Sequence, residues 1–407
     1  MRRAIRFALA LLPCLVLVVT AGAASTPSAS ASSYPPIPAG PIILGVSTSL
    51  TGAAAAYGGP TVASFDNVTL KAFDAEHPNG IDGHQVKIQI YNDDSTVTGA
   101  VQAAEQMVSD HVAGVATLTT NPQGVAEQVD VLNKAHVPIV STLTGSQYAN
   151  TKAYPYAFSP ASSVQQEGTA AGKWIAKEGF TRIATMTDTV EQDQDALTQI
   201  TDGIKKYAPK AKVVKAVTVP VDSTDDTVAV TTMKQADPQL TIIYIGIGFG
   251  PVWQAMQTQG WSPTILASAG AWYDGFTAMG SLVDNAYAPY VDCASSASQT
   301  FTAEQEQLFA GYSAATDAFS INYLTFVASD SIPVELLAYA IGKEHTLDPV
   351  AIKKAIEGIH NQSFLGIDYN FSPTNHYGLS GQYAAAICKM GPPYAGGVGK
   401  VPVRSNG

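Results

Sequence analysis

The groups in this chain that could do chemistry are few and poorly spaced for it. Seven histidines occur, at His77, His84, His111, His136, His345, His360 and His376. None stands at metal-ligand spacing from another His, Cys or Glu. No Gly-x-Ser-x-Gly elbow and no phosphate loop ending in Gly-Lys-Ser/Thr is present. Gly246-Ile247-Gly248-Phe249-Gly250 follows a strand pattern, but Pro251 stands where a dinucleotide fingerprint needs its third glycine. These glycines read as a tight turn. Asp93-Asp94 reads as a strand-end turn that caps the next helix rather than as an acid–base pair. Asp222, Asp225 and Asp226 lack the calcium-loop pattern. Catalytic, metal and cofactor roles therefore have no carrier, and binding remains.

Residues suited to binding cluster just beyond strand ends, where ligands sit in open α/β sheets. In the first half these are Tyr57, the run Thr119-Thr120-Asn121 with Gln123, and Leu143, Thr144 and Gly145. Asn121 precedes Pro122 and is placed to cap a helix whose first amides could hold a carboxylate. In the second half they are Glu191, Phe249, Trp272 and Tyr273, with the aromatics expected on a cleft wall.

Two α/β blocks must position these residues. The first runs from about Ile42 to Leu143 and the second from about Arg182 to Tyr290. Each alternates β-rich apolar runs with helical stretches, a rhythm that predicts parallel sheets with right-handed crossovers. Ile42–Ser47, Val86–Ile90, Val112–Leu118 and Val137–Val140 are the first block's strands, with a helix from Pro122 to Lys134. In the second block, strands are expected at Ile183–Thr187, Val213–Val219, Leu240–Ile245 and Ile265–Ser268. Tyr287–Val291 reads as a return crossing. Helices follow at about Ala303–Thr316, Ile332–Lys343 and Pro349–Gly358, then strands at Ile367–Phe371 and Tyr383–Ile387.

Residues 1–23 have the form of a secretory signal: Arg2, Arg3 and Arg6, an apolar run from Phe7 to Val19, and Ala21-Gly22-Ala23. The run is too short for a membrane span. Residues 24–41, mostly Ser, Ala and Pro, read as a flexible tether. Losing the signal's three arginines takes the formal charge from −11 to −14, so nucleic acid is excluded as a partner. Cys293 and Cys388 would remain in an oxidising compartment, where a disulfide between them is expected.

The first block resembles the branched-chain amino-acid-binding (leucine-binding-like) family of ABC-transporter substrate-binding proteins, of the type I periplasmic-binding fold. The resemblance is carried by Gly45-Val46 through Leu50-Thr51-Gly52 with Ala55, Tyr57 and Gly58, and by Gly80-Ile81-Asp82-Gly83 followed by Asp93-Asp94. Val137-Pro138-Ile139-Val140-Ser141, Tyr154-Pro155-Tyr156-Ala157-Phe158, Gln166 through Gly168, and Leu365-Gly366-Ile367-Asp368-Tyr369 continue it in order. It implies two doubly wound parallel-sheet lobes joined by crossing hinge strands. Residues 42–158 and 291–380 would form lobe one, and 159–290 with 381–407 lobe two.

The resemblance also implies an exported monomer that closes over a small ligand and hands it to an ABC permease, without catalysis. Where the family places serines at the carboxylate loop, this chain has Asn121 and Pro122. A Tyr-Gly pair is missing at Gln192-Asp193. The ammonium-binding acid is replaced near Ala271-Trp272, with Asp274 or Glu191 as stand-ins. An aromatic or less polar carboxylate, or an amide, thus joins amino acids as an expected ligand. A ligand-sensing receptor of the same fold is the alternative, and an extracellular hydrolase a remote one.

Overall fold

A computed structural model describes residues 34–52, 54–119, 121–142, 146–246, 248–268, 271, 278–290, 323–365, 367–379 and 386–390. Leu143, Thr144, Gly145, Trp272, Tyr273, Cys293 and the expected helix 303–316 lie outside these residues.

Strands β1 (Ile42–Thr48), β2 (Val86–Asn92), β3 (Gly114–Thr117), β4 (Ile139–Val140) and β5 (Ala157–Phe158) form one sheet in the order β2-β1-β3-β4-β5. Every pairing in it is parallel. Parallel strands need crossovers, and these put helices on both faces. One face packs Leu44, Val46, Phe65, Phe73 and Val140 against the long helix Tyr323–Glu344 through Leu336, Leu337 and Ile341. On the other, Val115, Leu118 and Ile139 meet Ala104 and Met107 of α3 (Val97–Ser109) and Val129 and Leu132 of α4 (Val125–Lys134). Burial on both faces is why these strands read as continuous apolar runs rather than alternating ones.

The second sheet takes the order β13-β10-β9-β8-β6-β7. Its members are β6 (Arg182–Thr187), β7 (Lys212–Thr218), β8 (Leu240–Tyr244), β9 (Thr264–Ala267), β10 (Ala286–Tyr290) and β13 (Ala386–Lys389). All run parallel except β13, which is antiparallel to β10. The segment read as a return crossing is therefore also the fifth parallel strand of this sheet. Two cores cover its faces, one built on Trp253, Phe249 and Met256, the other on Trp174, Ile200 and Leu266.

Local departures from the sequence reading have simple causes. Pro122 opens a 3-10 turn, Pro122–Gly124, and α4 begins only at Val125. The helix expected from Ile332 starts at Tyr323 and runs through Pro333, whose missing N–H leaves the Ser329 carbonyl without its helical donor. A hairpin pairs β11 (His360–Phe364) with β12 (Ile367–Asn370); β11 is too polar to announce itself. The end of the expected tether is not loose either. Ile37 packs on the first core, Thr346 Oγ1 donates to the Pro35 carbonyl at 2.5 Å, and His84 Nδ1 meets the Gly40 carbonyl at 2.8 Å. Among the described residues no helix is long and apolar enough to cross a membrane.

Helices α5 (Val164–Glu178) and α6 (Glu191–Tyr207) touch backbone to backbone through Gly168, Gly172 and Gly203. A Cβ on Gly203 would lie 1.8 Å from the Gly168 carbonyl oxygen, and one on Gly172 would lie 2.3 Å from that of Gly203. In the first core, Asp330 is 2 % exposed. Burial raises its carboxyl to about 8, with the Ser64 hydroxyl opposing part of the shift.

Gly203→Ala should cost about 1–3 kcal/mol or more in denaturant unfolding, because neither backbone can yield. Gly250→Ala, where no atom lies within 4 Å of the new methyl, should be near neutral. Asp330 binds its proton more tightly folded than unfolded, so ionising it opposes folding. Its contribution is fully present below about pH 4, declines as pH rises towards about 8, and is flat above. Asp330→Asn should gain in Tm relative to the natural chain across that window, measured as a difference between paired melts.

Candidate functional site

The C-terminal edges of the two sheets approach each other. α6 follows β6, the 3-10 turn Pro122–Gly124 follows β3, and these two elements pack together. Loops after parallel strands gather at that edge, so polar residues from both halves meet along it.

On the first half, β1 ends in Ser47-Thr48-Ser49, all fully buried. Asp93, also fully buried, accepts from Ser49 Oγ at 2.5 Å, from the Ser95 amide at 2.9 Å and from Ser47 Oγ at 3.4 Å. Asp94 and Ser95 hold positive φ, 52° and 56°, and Thr51 Oγ1 donates to Asp94 at 2.6 Å. The Asp93-Asp94 turn thus fastens the β1 loop, while Thr96 caps α3 by accepting from the Gly99 amide. Gln128 of α4 is buried and joins three elements. Its Oε1 accepts from the Thr119 amide at 2.8 Å; its Nε2 donates to Ser47 Oγ at 2.7 Å and to the Ala100 carbonyl at 2.9 Å.

Asn121 is 4 % exposed and caps the 3-10 turn, its side chain accepting from the Gln123 amide at 3.2 Å. Its Nδ2 is buried with no hydrogen-bond partner among the described residues. Such an orphan donor costs about 1–3 kcal/mol unless something accepts from it.

On the second half, the Asp188 and Asp193 carboxyls face each other at the start of α6, and the Gly246 amide serves both. Burial raises both, Asp193 the more, with the charge of Asp188 adding to its shift. Two adjacent buried carboxylates oppose each other's ionisation. The expected tight-turn glycines are placed accordingly: Gly246 donates to the acids, and Gly248, with φ 80°, caps α8 (Phe249–Thr258). Nearby, the Tyr244 hydroxyl donates to Glu167 of α5. Burial raises the Glu167 carboxyl to about 7, against the lowering effect of that bond.

Tyr377 lies between the halves. Its ring meets Tyr148 of the first half edge-on at 6.2 Å. Its phenol is pushed up by burial and then by Glu167 and Asp195 of the second. The return segment carrying Tyr377 is pinned to the first crossing: the Ser159 amide donates to the His376 carbonyl at 2.8 Å and the Gly378 amide to the Ser159 carbonyl at 2.9 Å. His376 is fully buried, its Nδ1 2.9 Å from the Ala157 carbonyl, and burial holds its pKa down despite Glu357.

Of the residues named from sequence, Asn121 and Gln123 lie at this edge, Gln123 exposed. Glu191 opens α6 and is exposed, while Asp193, two residues on, is the buried acid. Tyr57 lies on α1 (Ala55–Ser64). Phe249 departs from expectation. It has no exposed surface and stacks on Trp253 at 5.2 Å inside the second core, because α8 turns its apolar face to the sheet. Cys388 falls on β13, and its expected partner Cys293 is outside the described residues. Sequence reasoning missed Gln128, Tyr148, Glu167, Tyr244, Asp188 and Tyr377. The signal available was slight: polar residues within otherwise apolar helix or strand patterns.

Solved structures share this architecture. A periplasmic binding protein type 1 from Bordetella pertussis Tohama I superposes with TM-score 0.73 at 20% identity, over 86% of this chain and 96% of that one. A solute-binding protein of an ABC transporter from Rhodopseudomonas palustris BisB5, in complex with 3,4-dihydroxy benzoic acid, gives 0.70 at 16%, over 89% and 96%. Another from R. palustris, in complex with benzoate, gives 0.72 at 14%, over 90% and 98%. No curated protein matches significantly in a search on the same terms. The sequence model of the family described as periplasmic binding protein matches residues 41–389, nearly all of the folded body, and the chain belongs to that family.

Proposed function

We propose that this chain is an exported solute-binding protein that closes over one small carboxylate and delivers it to the permease of an ABC importer. The observation that carries this reading is the buried, unpartnered Asn121 Nδ2 at the edge where α6 meets the 3-10 turn. A carboxylate oxygen would satisfy that donor beside the turn's first amides. Across from it, Asp188, Asp193 and Glu167 are held towards their protonated forms. They suit a ligand end that donates hydrogen bonds and repel a second anion.

An aromatic acid bearing a hydroxyl fits both ends, and the benzoate-type ligands of the R. palustris relatives support that class. Tyr57, Trp272 and Tyr273 are assigned to its apolar part, Gln123 and the amides of the Leu143, Thr144 and Gly145 stretch join Asn121 at its carboxylate end, and Glu191 is a candidate for its far end. An amino acid, with an ammonium at the acidic end, is the second reading. Closure needs about 5.5 kcal/mol of differential binding to move from mostly open to mostly closed, within reach of several buried hydrogen bonds and one stacked ring.

Thermal-shift and tryptophan-fluorescence titrations with hydroxybenzoates, aliphatic amino acids and amides are the test. A hydroxybenzoate should raise Tm most; no response to any of the three classes would overturn the reading. Asn121→Asp keeps the capping oxygen but replaces the donor with a second acceptor. It should weaken carboxylate binding tenfold or more; the buried carboxyl should also lower the unliganded Tm at neutral pH, so the loss is read as a Kd ratio at a temperature where both proteins are folded. Trp272→Phe should abolish most of the ligand-induced fluorescence change.

A further inference from the structure

The chain carries a formal charge of −11, yet residues 203–221 contain Lys205, Lys206, Lys210, Lys212 and Lys215 and no acid. The fold gathers more cations around them. Lys173 and Lys177 lie in the later turns of α5, and Arg182 and Lys212 are direct partners on neighbouring strands. The Tyr207 ring has Lys206 Nζ 5.0 Å and Lys173 Nζ 5.5 Å from its centroid. Lys205 is paired with Asp202, and the Arg182 guanidinium is spent on the Ala236 and Asp237 carbonyls. Lys173, Lys206, Lys210, Lys212 and Lys215 are exposed and reach no acid among the described residues.

The pole's position follows from the topology. The late turns of α5 and α6 and the beginnings of β6 and β7 all lie at the N-terminal edge of the second sheet, away from the ligand site. Neutralising helix C-termini accounts for Lys177, Lys205 and Lys206. It leaves Lys210, Lys212 and Lys215, which follow α6 on the turn and on β7. That strand ends the sheet, and Val213 and Val214 between its lysines are 40% and 37% exposed.

We propose that this lysine-rich pole of the second half docks on an anionic lipid bilayer. The charges spread over two helix ends, a turn and a strand rather than converging on a point, which suits an extended surface. Exposed valines and a tyrosine among lysines form the mixture that settles at a headgroup layer. Strand addition by an acidic peptide is less favoured, because the register of β7 on β6 slips between Val213 and Lys215 and lysines flank that slip on the strand that ends the sheet. The remaining acidic surface is repelled by the same bilayer and so orients the protein pole-down. The inference is independent of which ligand the protein carries.

Co-sedimentation of the purified protein with vesicles of phosphatidylglycerol and phosphatidylcholine, against vesicles of phosphatidylcholine alone, tests it. Binding should need the anionic lipid and weaken steeply between low and physiological salt. The triple variant Lys210→Gln, Lys212→Gln, Lys215→Gln should partition roughly a hundredfold less, at about fivefold per lysine, with Tm unchanged. Neutral vesicles report any contribution from the apolar N-terminal residues. Equal sedimentation of variant and natural protein, or no preference for anionic vesicles at low salt, overturns the proposal. So does lysine-dependent binding to polyglutamate without binding to vesicles, which would assign the pole to an acidic protein.

Discussion

The packing of α6 against the turn at Pro122–Gly124 is the contact on which the functional organisation rests. Parallel strands can deliver loops only to their C-terminal edges, and this contact sets two such edges against each other. Buried polar groups that would otherwise be faults then acquire a setting. Asn121 Nδ2 is an orphan within its own half, and the Asp188–Asp193 pair is crowded within its own. Across one edge they would be the two ends of the proposed solute site.

Each end is held by groups that do not themselves meet that edge. Gln128 binds β1, β3 and α3 together through both ends of its carboxamide, and so fixes where the Thr119–Asn121 stretch emerges. Asp93 does the same for the β1 loop through Ser49 and the Ser95 amide. In the second half the glycine contacts of α5 with α6 set the spacing of the helices bearing Glu167 and Asp193. The half-to-half connection runs through Ser159, His376 and Gly378, whose backbone bonds tie two crossing segments together. The flanking aromatic, Tyr377, meets Tyr148 of one half and feels the charge of Glu167 and Asp195 of the other.

The two poles of the second half differ in charge logic. One edge carries buried acids that burial holds above the usual carboxylate range, whereas the far edge carries Lys210, Lys212 and Lys215, which reach no acid among the described residues. A protein with net negative charge that segregates its cations in this way has a preferred orientation near any charged surface.

Fold class was legible from the sequence alone, because apolar runs buried on both faces and alternating with helical stretches admit few arrangements other than parallel sheets with crossovers. The capping role of Asn121 was legible too, since an Asn before a Pro at a helix start has a local reason. What the sequence could not decide was depth and partnership. Phe249 and Asp193 differ from a cleft-wall ring and a surface acid only by which face of a helix meets the sheet. Gln128, 81 positions from Ser47, looks like any polar helix residue until β1 and α4 are placed side by side. Local spacing determines elements and caps; burial, orphan donors and raised carboxyls arise only when elements distant in the chain are packed together.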